Sequence, residues 1–143
     1  MGTRSVIKFQ EDGNTLCAIY QQFDGYPECV GKELLDFLDS IEMINGITVG
    51  KTEPKRTANG PGCLAAQFIA DQKRGTGGLY ITHPEDQQQY NYIVNCKYTG
   101  EGWNAVANDI EITVIEHDTQ LFQGNFKEYA LFIASYSEED EVA

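Results

Sequence analysis

Residues 6–22, VIKFQEDGNTLCAIYQQ, constrain the fold more than any other stretch of the chain. In VIKFQ the side chains alternate with the two-residue period of a strand. EDGN then supplies a strong hairpin turn signal, and TLCAIYQQ returns as a second strand. Any fold of this chain has to be built around that antiparallel pair.

The rest of the chain extends the pattern. After Pro27, ECVGKELLDFLDSIEMI places Val30, Leu34, Leu35, Phe37, Leu38 and Ile41 on one side at helical spacing, with Gly31 weakening the start. NGITVG adds a short extended piece, and KTEPKRTANGPG reads as a polar loop. A second helix is expected from Pro61 or Gly62, burying Leu64, Ala65, Phe68 and Ile69, and RGTGG ends it. LYITHP and QYNYIVNCKY are expected to pair as a second hairpin about EDQQ, and TGEGWNAVAND to form a loop. IEITVIEHDTQLFQG gives two more strands about His117-Asp118-Thr119, with Ile110, Ile112 and Val114 on one face. A third helix starts at the N-cap Asn125, with Glu128 completing a capping box, and buries Phe126, Tyr129, Phe132 and Ile133.

The resulting order, ββααββββα, predicts an α+β fold: a largely antiparallel sheet of about six short strands covered by two to three helices. One globular domain is expected over residues 1–136, followed by an acidic, flexible C-terminal tail at 137–143, SEEDEVA.

Composition narrows the class. With 143 residues and 41% apolar content, the chain can bury a core without disulfides or metal. No run approaches a membrane span or the apolar stretch of a signal peptide, so a cytoplasmic protein is expected. Cys17, Cys29, Cys63 and Cys96 are far apart with no C-x-x-C pair, which suits free thiols in a reducing compartment and gives no metal site.

The net charge of −12 is unevenly spread. Residues 1–77 carry eight bases against ten acids, whereas residues 78–143 carry only Lys97 and Lys127 against twelve acids. Five of the ten bases, Lys51, Lys55, Arg56, Lys73 and Arg74, fall between positions 51 and 74, where only Glu53 and Asp71 oppose them. The whole chain should repel nucleic acid, yet it holds one basic island.

Several segments together resemble a family of small phage, prophage and bacterial proteins, usually labelled uncharacterised: MGTRS at the start, YQQFDGYP with Gly31 soon after, NGPGCLAAQFIA, and LFQGNFKEY near the end. The resemblance covers nearly the full chain. It implies a phage-type setting and an accessory protein, often one that counters host defence, and it brings no activity with it. Members of that family carry a Gly-His-Gly-like segment after the proline. Cys29 and Val30 stand there in this chain, so no histidine role carries over.

The residues themselves point to binding. His83 and His117 both fall at turns and neither neighbours a nucleophile motif; H-E-x-x-H, G-x-S-x-G and Walker patterns do not occur. In KRTANGPGC, Lys55, Arg56 and Asn59 precede a helix start whose free N–H groups favour an anion. Lys73 and Arg74 lie at that helix's other end, where they either complement its C-terminus or, across a symmetric homodimer or higher oligomer, converge with the first pair. Asp24-Gly25 makes a turn and Pro27 opens a helix, which leaves Phe23 and Tyr26 either as core plugs or as a stacking surface. Hairpin geometry brings Arg4 beside Gln22, so a cation, amides and aromatics share one end of the sheet.

Three functions follow as expectations. The first is a non-enzymatic, cofactor-free protein that sequesters a small anionic, nucleotide-type ligand through Arg4, Gln22, Phe23, Asp24, Tyr26, Lys55, Arg56, Asn59, Lys73 and Arg74. The second is an acidic face around Glu111, Glu116 and Asp118 that mimics nucleic acid and blocks a host defence protein. The third is a nucleotide-processing enzyme with Asp24 as acid or base.

Overall fold

The computed structural model of the chain describes residues 2–44, 56–99 and 106–142. In chain order the elements are β1 (Ser5–Glu11), β2 (Asn14–Gln21), a π-helical turn (Pro27–Gly31), α1 (Lys32–Asp39), β3 (Ile41–Ile44), β4 (Arg56–Asn59) and α2 (Gly60–Gln72), followed by β5 (Leu79–Thr82), β6 (Tyr90–Thr99), β7 (Val106–Glu116), β8 (Thr119–Gly124) and α3 (Phe126–Val142). The fold is α+β, with six strands in a mostly antiparallel sheet of order β5-β2-β1-β6-β7-β8 and three helices. The one parallel neighbour pair in that sheet is β1 with β6.

The opening hairpin forms as expected. Asp12 and Gly13 both take positive φ, 47° and 86°, as a type I′ turn requires. Asp12 N–H donates to Cys96 O (3.0 Å) and Gly13 N–H to Asn95 Oδ1 (2.8 Å), which fastens the turn to β6. The β7–β8 hairpin also forms about His117-Asp118, with Ile112 and Val114 fully buried and Ile110 partly so.

The second expected hairpin does not form. β5 pairs with β2, and β6 pairs with β1 and β7, so two strands separate the segments that were expected to meet. Burial explains the choice. The ten-residue β6 points Tyr90, Tyr92, Val94 and Cys96 into the core and needs neighbours on both sides. The four-residue β5, with Tyr80 and Ile81 exposed, suits an edge. Nor are the sheet's strands uniformly short, since β6 and β7 run to ten and eleven residues.

Helix α1 is shorter than its apolar spacing suggests. Ser40 N–H and Oγ–H both donate to Phe37 O (3.1 and 2.6 Å), closing the helix. Ile41 then opens β3, which pairs in parallel with β4. The segment Arg56–Asn59, read as loop, is therefore a strand. The extended piece expected at 45–50 lies outside the described residues, as do Lys51, Lys55 and residues 100–105 of the loop expected at 99–109. The rest of that loop is strand, Thr99 ending β6 and residues 106–109 opening β7.

All three helices supply one core against one face of the sheet. Cross-strand registry places Ile7, Ile19, Tyr92, Val94, Ile112 and Val114 on that face. Leu34, Phe37, Leu64, Phe68, Tyr129 and Ile133 come down on it from the helices, each at most 1% exposed. Phe68 packs between Phe9 and Phe37, with ring centroids 5.7 and 5.1 Å away. Ile69, Phe126 and Phe132 pack at the margin, partly buried. Asn125 and Glu128 form the capping box: Asn125 N–H donates to Glu128 Oε1 and Glu128 N–H to Asn125 Oδ1, both at 2.9 Å. The backbone of α3 continues through Val142, so residues 137–142 prolong this helix. No helix among the described residues is long and apolar enough to cross a membrane.

Candidate functional site

Phe23, Asp24, Gly25 and Tyr26 leave β2 in a turn whose shape is dictated by what lies behind it. The left-handed residue is Asp24 (φ 57°), a conformation that Asp tolerates better than most residues. Gly25 is needed for a different reason. A Cβ there would stand 2.9 Å from Ser5 Cβ and 3.0 Å from Arg4 O, so only glycine lets the turn lie on the N-terminal segment. Gly25 N–H donates to Thr3 O (2.9 Å), and the buried Tyr92 hydroxyl donates to Gly25 O (2.6 Å). One turn on, Tyr129 donates its hydroxyl to Gly31 O (2.7 Å), and a Cβ on Gly31 would meet Ile133 Cδ1 at 2.9 Å.

Burial, reinforced by neighbouring tyrosines, pushes the Tyr92 hydroxyl far above its usual range, and burial alone does the same for Tyr129. Both therefore remain neutral donors. Residues 2–5, the FDGYP turn, Gly31 and Tyr129 converge in one corner.

From this packed corner Phe23 projects outward, 60% exposed, and lines two clefts. The first, about 500 Å³, is walled by Gly2, Arg4, Gln22, Phe23, Gln88 and Gln89. The second, about 400 Å³, lies between the end of α2 and the start of α1, where Gln21, Glu33, Gln72 and Arg74 meet Phe23, Gly77, Gly78 and Leu79.

The walls are held in place. Gln22 exchanges main-chain and side-chain bonds with Gly78: its N–H donates to Gly78 O (3.0 Å), and its Oε1 accepts from Gly78 N–H (3.3 Å). Across the first cleft, Gln88 Nε2 donates to Asp86 Oδ1 (2.9 Å), and Thr82 Oγ–H donates to Asp86 Oδ2 (2.7 Å). Asn91 brackets Gln88 by accepting its N–H (3.1 Å) and donating to its carbonyl (2.9 Å). His83 accepts the Glu85 N–H through Nδ1 (3.0 Å), so it serves the same loop.

Electrostatically the two clefts differ. Among the described residues, Arg4 is the one charged residue lining the first. The second holds Arg74 and Glu33, whose carboxyl is raised above the usual range first by burial, then by Asp24 and Asp36.

The residues expected to form a site are thus divided. Arg4, Gln22 and Phe23 share the first cleft, and Arg74 joins Phe23 in the second. Asp24 and Tyr26 are exposed beside them, with Tyr26 edge-on to Tyr90 at 5.9 Å between ring centroids. Lys73 is occupied by its own loop: Nζ donates to Gly77 O (2.9 Å) and Leu79 O (2.7 Å) and lies 5.4 Å from the Tyr80 ring centroid. Asn59 sits at the far end of α2, about 18 Å away by the helical rise. Lys55 and the Arg56 side chain lie outside the described residues.

Gly2, Gln88, Gln89, Gln72 and Glu33 escaped the sequence reading. The parallel pairing of β1 with β6 brings residues 88–89 beside residues 2–4, and a local pattern contains no signal for it.

Two acids of the expected nucleic-acid-like face are engaged internally. Glu111 accepts from Lys97 (2.8 Å) and Gln123 (3.3 Å), and Glu116 accepts from the Tyr90 hydroxyl. Burial raises the thiol of Cys17 and pushes that of Cys96 up to about 11, which makes both poor nucleophiles. Family models, curated proteins and solved structures offer no match to this chain.

Proposed function

We propose that the chain is a phage-type accessory protein that captures a small anionic, nucleotide-type ligand beside Phe23 and holds it without turnover. One observation carries this reading: in a protein of net charge −12, a cleft of about 500 Å³ has Arg4 as its one charged lining residue among the described residues, with Gln22, Gln88 and Gln89 around an exposed phenyl ring. A guanidinium attracts phosphate through paired donors, amides read polar edges, and an aromatic face stacks on a base. Arginine and glutamine side chains stay fixed in protonation at neutral pH, so this lining suits holding a ligand better than moving its protons. The phage setting rests on the resemblance of MGTRS and YQQFDGYP. The rival reading, an acidic decoy for a host protein, is weakened by the internal engagement of Glu111 and Glu116.

The test is a melting screen of the purified protein against linear and cyclic nucleotides and ADP-ribose-type molecules. Any hit is heat-released and identified by chromatography. A ligand at a hundredfold its Kd should stabilise the fold by about 2.7 kcal/mol and raise Tm by several degrees. Recovery of the ligand intact, with the shift lost in Arg4→Ala, is the expected result. Recovery of an altered ligand would point to an enzyme, and no shift from any compound would overturn the proposal.

A further inference from the structure

The two clefts share Phe23 and lie on neighbouring parts of the same strand end, with Gln21 in one and Gln22 in the other. Their charges are not interchangeable. A phosphate is drawn to Arg4, where no acid among the described residues lines the wall, and is opposed by the Glu33 carboxylate in the second cleft. A carboxylate is, however, a good partner for a base that presents two adjacent N–H donors, because its two oxygens accept them side by side. Gln21 and Gln72, in the same wall, add amide groups for the rest of the base edge, and Phe23 supplies an aromatic face.

We propose that the second cleft is the base subsite of the same ligand and that Glu33 selects guanine-type bases; this rests on the nucleotide reading above. The ligand lies across Phe23 with its phosphate toward Arg4 and its N1–H and 2-amino group on Glu33. Adenine, which offers an acceptor where guanine offers N1–H, meets the carboxylate unfavourably. Hypoxanthine keeps N1–H and loses the second donor.

The experiment is a calorimetric titration of the full chain with GMP, IMP, AMP and ribose 5-phosphate, repeated with Glu33→Gln, Arg4→Ala and Arg74→Ala. Glu33 and both arginines are exposed, so all three variants should fold. GMP is expected to bind about tenfold more tightly than IMP, with AMP weaker still. Glu33→Gln should shrink the GMP-to-IMP ratio to within about twofold and leave ribose 5-phosphate unchanged. Arg4→Ala should weaken ribose 5-phosphate more than Arg74→Ala does. Binding of all three nucleotides with no preference, or a preference untouched by Glu33→Gln, would overturn the base subsite and leave nucleotide capture standing. A ribose 5-phosphate affinity that depends on Arg74 in place of Arg4 would overturn the orientation. If none of the four compounds binds, the base subsite falls, and the melting screen alone decides the nucleotide reading.

Discussion

Two sides of the turn after β2 differ sharply in freedom. Behind it, Gly25 and Gly31 touch backbone and side chains so closely that a methyl group would collide, and two buried tyrosines each fasten a glycine carbonyl. In front of it, two residues from Gly25, Phe23 is 60% exposed between two open clefts. A rigid rear lets a short loop present an aromatic ring without ordering it anew on binding, which lowers the entropic cost of association. One short motif is thus scaffold on one face and, in the proposed function, recognition surface on the other.

That contrast can be broken by mutation, and the rear should respond first in stability. Tyr129→Ala removes a fully buried ring and its bond to Gly31 O, and is expected to cost about 3–5 kcal/mol, read as a lower denaturant midpoint at unchanged m-value. A loss under about 1 kcal/mol would mean the corner is not packed as described. Gly31→Ala brings a methyl to 2.9 Å from the tip of the Ile133 side chain, which can shift, at a helical position where alanine is otherwise favoured, and should cost no more than about 1 kcal/mol. Ser5 Oγ, buried and without a hydrogen-bond partner among the described residues, predicts the opposite sign: Ser5→Ala should be neutral or stabilise by up to about 1 kcal/mol.

The front should respond in binding instead. Phe23→Ala is expected to change stability by no more than about 0.5 kcal/mol while abolishing the ligand-induced rise in Tm. A large stability loss would reassign the ring to the core.

The smallest effect concerns Glu33. Its carboxyl is raised by burial and by Asp24 and Asp36, so the folded state binds a proton more readily than the unfolded chain. That disfavours folding above the raised value, and the penalty disappears as pH falls below the ordinary glutamate range. Glu33→Gln should therefore melt slightly higher than the parent at pH 7, and the gap should close at acid pH. A gap that persists there would assign the gain to packing.

Much of the fold was legible because the deciding signals are local. The type I′ turn at Asp12-Gly13, the capping box of Asn125 and Glu128 and the inward spacing of Leu34, Leu64 and Phe68 are each written within a few residues. The errors fell where partners are remote. LYIT and the long strand after EDQQQ look like one hairpin until the buried face of Tyr92 and Val94 claims a central place in the sheet. KRTAN reads as loop because nothing in it announces its parallel partner, Ile41–Ile44.

The same division runs through the candidate site. By itself the sequence determined that a cation, two amides and an aromatic would gather at the end of the first hairpin, because antiparallel registry fixes which residues lie opposite. It also contained the glycines, but gave no reason for Gly25 beyond a turn. Only the tertiary structure decided that Asp24 takes the left-handed conformation and that Gly25 is there to let Arg4 and Ser5 approach. Only it brought Gln88 and Gln89, just ahead of β6, to the cleft, set Glu33 beside Phe23, tied Lys73 into its loop and left Asn59 a helix length away. Those placements depend on which strands satisfy each other's buried faces, a competition among segments up to 85 residues apart, as between Ser5 and Tyr90. No local pattern records its outcome.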